Sequence, residues 1–128
     1  MMLRVPVSPG ELIDKLTILE IKLERMSDPA KKANVAKEFQ VLSEELATSV
    51  RQSPELARLH SALKQVNETL WVVEDDIRDC ERAQDFGPKF IELARSVYRI
   101  NDRRAEVKKE INLLLNSDLV EEKSYAAY

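Results

Sequence analysis

Chemistry on this chain would have to come from a small set of residues, beginning with the acidic run Glu74-Asp75-Asp76 and Asp79. On a helix Asp75 and Asp79 lie one turn apart, as do Asp76 and Asp79, so two carboxylates could share a divalent cation. Carboxylate-bridged metal bundles, however, draw Glu-x-x-His pairs from two helices, and the only histidine is His60. No Cys and His cluster exists for zinc. The expectation is a solvated acidic face, with no metal and no cofactor. His60 is expected on an outer flank, making a surface contact. Cys80 falls in an apolar stripe, where a thiol behaves as a small hydrophobe. No phosphate loop, dinucleotide fingerprint or nucleophile elbow occurs.

The elements that must position these residues are helices. Apolar residues recur three and four apart at Leu56, Leu59, Leu63, Val66, Leu70, Val73, Ile77 and Cys80, and again at Phe90, Leu93, Val97, Ile100, Val107, Ile111 and Leu114, with charged Arg104 in the one gap. Folded back on each other, the two stripes pair Cys80 with Phe90, Ile77 with Leu93, Val73 with Val97, and Leu56 with Leu114. This spacing predicts an antiparallel coiled-coil hairpin over about 54–83 and 88–116. Two more helices precede it, over about 9–26 and 29–50. Ser8, Asp28 and Ser53 are cap signals, each followed by a proline, and Glu11 fits a capping box with Ser8. Leu12, Leu16, Leu19, Leu23 and Met26 form one stripe of helix 1, while Ile13, Ile18 and Ile21 lie off it, which predicts burial on two sides. Val35, Phe39, Leu42 and Leu46 are the only apolar stripe of helix 2, an outer helix. The fold class is therefore all-α, a four-helix arrangement in a single domain over 1–128. The tail at 117–128 is either flexible or docked.

Arg104 is the anomaly of the hairpin, standing where the stripe calls for an apolar side chain opposite Val66. The simpler expectation is that its stem packs and its guanidinium reaches water. The sharper one is a buried charge that pairs with a carboxylate of helix 1 or reaches a ligand. Beside the stripe, one flank mixes Asn67, Trp71, Glu74 and Arg78 with Ile91, Ala94, Tyr98, Asn101 and Ala105. It suits either the docking of helix 1 or a pocket walled by Trp71 and Tyr98.

Composition narrows the function. The net charge is −3 in 128 residues with 34% charged side chains, so the overall field does not favour nucleic acid. The basic second helix of the hairpin is expected to be neutralised by the acidic first, with Asp75 level with Arg95. No apolar run approaches the ~18 residues of a membrane span, and the first residues lack the apolar core of a signal peptide. With one cysteine, a reducing cytoplasm is the expected compartment.

Four strings carry a resemblance: Val5 to Lys22, Trp71 to Arg78, Phe90 to Arg104, and Glu121 to Tyr125. Together they resemble a small bacterial family known only as a domain of unknown function. The resemblance covers nearly the whole chain and implies no activity. It suggests a link to sugar-transfer or surface-polysaccharide systems, where relatives occur. The leading expectation is a non-catalytic module that binds a protein partner or forms a homo-oligomer. The alternative is a metal-independent binder of a small anion, or an enzyme, using Asp14, Lys15, Lys22, Asn67, Trp71, Glu74, Arg78, Tyr98, Asn101 and Arg104.

Overall fold

Proline opens every helix, at the first position, where its missing amide hydrogen has no partner to lose. The computed structural model describes all 128 residues. Its helices are α1 (Pro9–Arg25), α2 (Pro29–Ser49), α3 (Pro54–Arg82) and α4 (Pro88–Leu114), with no strand. Ser8, Asp28 and Ser53 cap the first three, accepting from the amides of Glu11, Ala30 and Leu56. Glu11 does not complete a capping box; its carboxylate is taken by Lys108 of α4. α3 and α4 end alike. Gln84 and Asn116 each adopt a φ of 53°, so the Asp85 amide reaches the Cys80 carbonyl and the Ser117 amide that of Asn112. Such closures cap the last carbonyls and stop the helix sharply. After Gln84 the chain turns straight into α4, which packs back along α3.

α1 organises the packing because it alone touches all three other helices. Its first turns meet α4, with Gly10 at Asn112 and Asp14 at Arg104. Its later turns meet α3, with Thr17 at Asn67, Glu20 at His60 and Glu24 at Lys64. α1 therefore crosses the hairpin instead of running along it, and α2 packs on its far side. Leu16 of α1 and Leu46 of α2 close one core with Ile13, Leu56, Leu59, Leu63, Val107 and Ile111. That core lies at the base of the hairpin, away from the turn.

The crossing leaves the rest of the hairpin thin. α3, with 29 residues, is about 43 Å long at 1.5 Å per residue, yet α1 bonds to it only between His60 and Asn67. Beyond that level α3 and α4 form a two-helix arm. Leu70, Val73, Ile77, Leu93, Val97 and Ile100, which fill the seam there, are only half-buried. Two expectations fail at the ends of this seam. Leu114 does not complete it opposite Leu56: it is 40% exposed, and Leu115 turns towards the core instead. Nor do the helices neutralise each other across the arm. Its ion pairs, Arg78–Glu74, Arg82–Asp79 and Arg95–Glu92, each lie within one helix. Neighbours three or four apart on one helix are the nearest available partners, and Asp75 and Arg95 both stand on exposed positions.

Gly10 is where α1 comes closest to α4. Its amide donates to Asn112 Oδ1 at 2.7 Å, and a Cβ there would stand 2.7 Å from the Lys108 carbonyl oxygen and 2.9 Å from Asn112 Oδ1. One of those neighbours is backbone, so it cannot swing away. Gly10→Ala is expected to lower stability by about 1–3 kcal/mol through overpacking, read by urea denaturation. An unchanged midpoint would mean that α1 can lift from α4 without loss.

Candidate functional site

Asp14 is 3% exposed, and a buried carboxylate is tolerated only when paired and hydrogen-bonded. The fold supplies both. Arg104 donates to it twice, Nε to Oδ1 at 2.9 Å and Nη2 to Oδ2 at 2.5 Å. The planar guanidinium fork matches the two carboxylate oxygens. Asn67 Nδ2 donates to Asp14 Oδ1 and to Thr17 Oγ1, both at 2.9 Å. The Thr17 hydroxyl in turn donates to the Asp14 carbonyl at 2.7 Å. The hydrogen bond to Asp14 holds the Arg104 guanidinium above its ordinary range, against the opposing pull of desolvation. Arg104 does not send its charge out to water; it joins α1 to α4.

One turn further along α4, Lys108 repeats the arrangement. Its Nζ is 2.5 Å from Glu11 Oε1 and 3.3 Å from Glu121 Oε2. Burial pulls its ammonium down, but the Glu11 hydrogen bond and the fields of Asp14, Glu11 and Glu121 outweigh it, so the net direction is up from 10.5. No buried side-chain nitrogen or oxygen lacks a hydrogen-bond partner.

Glu121 belongs to the tail, which lies over this part of α4. Side chains hold it: Glu121 on Lys108, Lys123 at 3.6 Å from Asp102, and the Tyr128 hydroxyl donating to Asp102 at 2.6 Å. The Tyr128 ring also meets Tyr98 edge-on, 5.1 Å between centroids. Its phenol is pushed up by the hydrogen bond to Asp102. Between tail and helix lies a cleft of about 990 Å³, walled on the helix side by Val97, Tyr98, Asn101, Asp102, Arg104, Ala105 and Lys108. Each cation on the cleft already holds a carboxylate: Arg104 has Asp14, Lys108 has Glu11 and Glu121, and Lys123 has Asp102.

The ten candidate residues thus separate. Asp14, Asn67 and Arg104 form one network, and Tyr98 and Asn101 line the cleft with Arg104. Trp71 does not reach that cleft; it is half-buried further out on the arm. Glu74 and Arg78 pair with each other, 2.6 Å apart, and Lys15 turns to Glu38 of α2 at 2.9 Å. Lys22 is half-buried and makes no ion pair. His60 is not on an outer flank: its Nε2 lies 3.0 Å from Glu20 of α1. No group of three or more His, Cys, Asp and Glu side chains is placed to hold a metal ion, and no helix is long and apolar enough to cross a membrane. Lys108, Glu11, Thr17 and Asn112 were not among the candidates. A signal existed: Glu11 precedes Asp14 by one turn and Lys108 follows Arg104 by one turn, so two acid–base pairs run in step.

These features define an all-helical protein in which a crossing helix and a buried ion-pair network clamp the base of a hairpin. The chain belongs to a family of unknown function (DUF6165), whose model matches residues 3–128. No curated protein and no solved structure matches it.

Removing Arg104 leaves Asp14 buried without its charged partner. Arg104→Met is expected to cost about 3 kcal/mol in urea unfolding, and adding Asp14→Asn should recover part of that. Equal stability of Arg104→Met and the parent would contradict the network. Lys108 sets a pH dependence. Its folded value lies above 10.5, so its contribution is full below that pH and is lost as pH climbs through the folded value. Lys108→Met should flatten this alkaline fall in unfolding free energy; an identical fall in both proteins would sink the assignment.

Proposed function

We propose that this chain is a non-catalytic interaction module of the cytoplasm that docks through its projecting arm. One observation carries the reading: the flank that α1 covers at the base continues along the arm with no helix over it, and of the residues named below only Tyr98 meets the tail, through the Tyr128 ring. His60, Lys64 and Asn67 each follow a seam residue by one position, and so do Trp71, Ile91, Ala94 and Tyr98, so all share one side. At the base α1 buries that side. On the arm Ile91 is 53% and Tyr98 43% exposed. A third helix laid there would take these side chains and the half-wet seam out of water, at about 25 cal/mol per Å² of apolar area. Ala94 leaves room for its close approach. The uncoordinated cysteine, buried in the seam, is compatible with a reducing compartment.

The alternative, a small-anion binder, draws less support. Cations at the cleft are already matched by carboxylates, so an anion would have to break an ion pair before gaining one.

Replacing Ile91 by a photo-crosslinking amino acid in growing cells tests docking directly. A discrete protein adduct is expected from position 91 and none from position 37 on α2. No adduct at 91, together with strong thermal stabilisation by millimolar sugar phosphates or nucleotide sugars, would replace docking by ligand binding.

A further inference from the structure

We infer that the partner of the arm is a second copy of this chain, bound about a two-fold axis that crosses both arms at the level of Asp76 and Ala94. The inference rests on the docking reading and names its occupant. In a two-fold contact each position meets one equally far on the other side of the axis, so the patch must complement itself.

The open flank meets that condition twice. On α3 it carries Glu74 and Arg78, opposite charges whose midpoint is residue 76. On α4 it carries Ile91 and Tyr98, two exposed apolar bodies whose midpoint falls beside Ala94. The spacing of the two stripes sets residues 76 and 94 at one level of the hairpin, since it pairs Ile77 with Leu93. A single axis therefore satisfies both helices. It sets Glu74 against the partner's Arg78 and Ile91 against the part of the partner's Tyr98 that its own Tyr128 ring leaves exposed, with Ala94 at the centre where the helices come closest.

The second two-fold arrangement of stacked hairpins, with the axis along the arms, would lay acidic α3 on basic α4. It also brings the two α1 helices, which occupy the same flank at the base, into one volume. Antiparallel arms avoid that clash, each lying beyond the partner's α1. The Glu74–Arg78 pair is well exposed in the single chain, at 44% and 64%, so exchanging it for two pairs between copies loses little.

Size sets the strength. Fifteen residues of α3 beyond Asn67 span about 22 Å and two helices about 20 Å. That face is smaller than the ~800 Å² per partner of a standard stable interface. The dimer should therefore form and dissociate with concentration.

Light scattering across a concentration series tests this. The mass should rise from the 14.7 kDa of one chain towards twice that value, with a parallel shift in the emission of Trp71, the sole tryptophan. Glu74→Arg and Arg78→Glu should each weaken the dimer at least tenfold, since each sets like charges against each other twice. Mixing the two variants, or combining both changes in one chain, should restore it; that recovery also excludes misfolding. A monomer at every concentration, or a dimer indifferent to these changes, or an unrestored mixture, overturns the two-fold contact. If the position-91 adduct is then with a different protein, docking stands without the second copy; if there is no adduct, docking itself fails.

Discussion

A carboxylate buried in the second turn of the first helix constrains everything else in this molecule. Asp14 can stay there only with Arg104 forked onto it and Asn67 beside it, and those two partners come from different helices. α1 must then cross α3 and α4 at the one level where both side chains reach it. Gly10 lets the N-terminal turn of α1 settle onto α4, and the Glu11–Lys108 pair repeats the same linkage one turn away. Two ion pairs in step fix the crossing direction as well as the position. Their contribution is more geometric than energetic, because desolvation offsets much of the Coulomb gain.

Crossing instead of following has a cost in coverage. A helix of 17 residues running along α3 would have shielded more than half of its length. Laid across, it covers the base and leaves an arm with a half-wet seam. Stability is then uneven by construction, with a core drawn from all four helices at the base and one helix pair beyond. The same geometry that secures the base makes the arm available, and its open flank is a continuation of the surface α1 uses. The tail lies where these regions meet, held by Asp102, Lys108 and Tyr98.

Local signals were legible in the residues. Cap and proline pairs at Ser8-Pro9, Asp28-Pro29 and Ser53-Pro54 place three helix starts, and the three-four stripes place the hairpin, because both depend on neighbours along the chain. Direction between helices is non-local and was not legible. Glu11 loses the capping box to Lys108, far along the chain, and the offset that matches the two pairs can be read only once Asp14 is known to meet Arg104. Opposed charges on α3 and α4 suggested pairing across the hairpin, but side chains one turn apart on the same helix are nearer. Arg104 was visible as an anomaly, with a carboxylate of helix 1 as its candidate partner; which carboxylate was not, since that depends on where α1 crosses.

Hydrogen exchange followed residue by residue at two protein concentrations addresses the central claim, a clamped base with an arm that completes itself by docking. Slow exchange is expected in α1 and at 56–67 and 104–112 at both concentrations. Faster exchange is expected at 70–80 and 90–100 in dilute protein, slowing as concentration rises. Equal protection along the whole hairpin, unchanged by concentration, would contradict it.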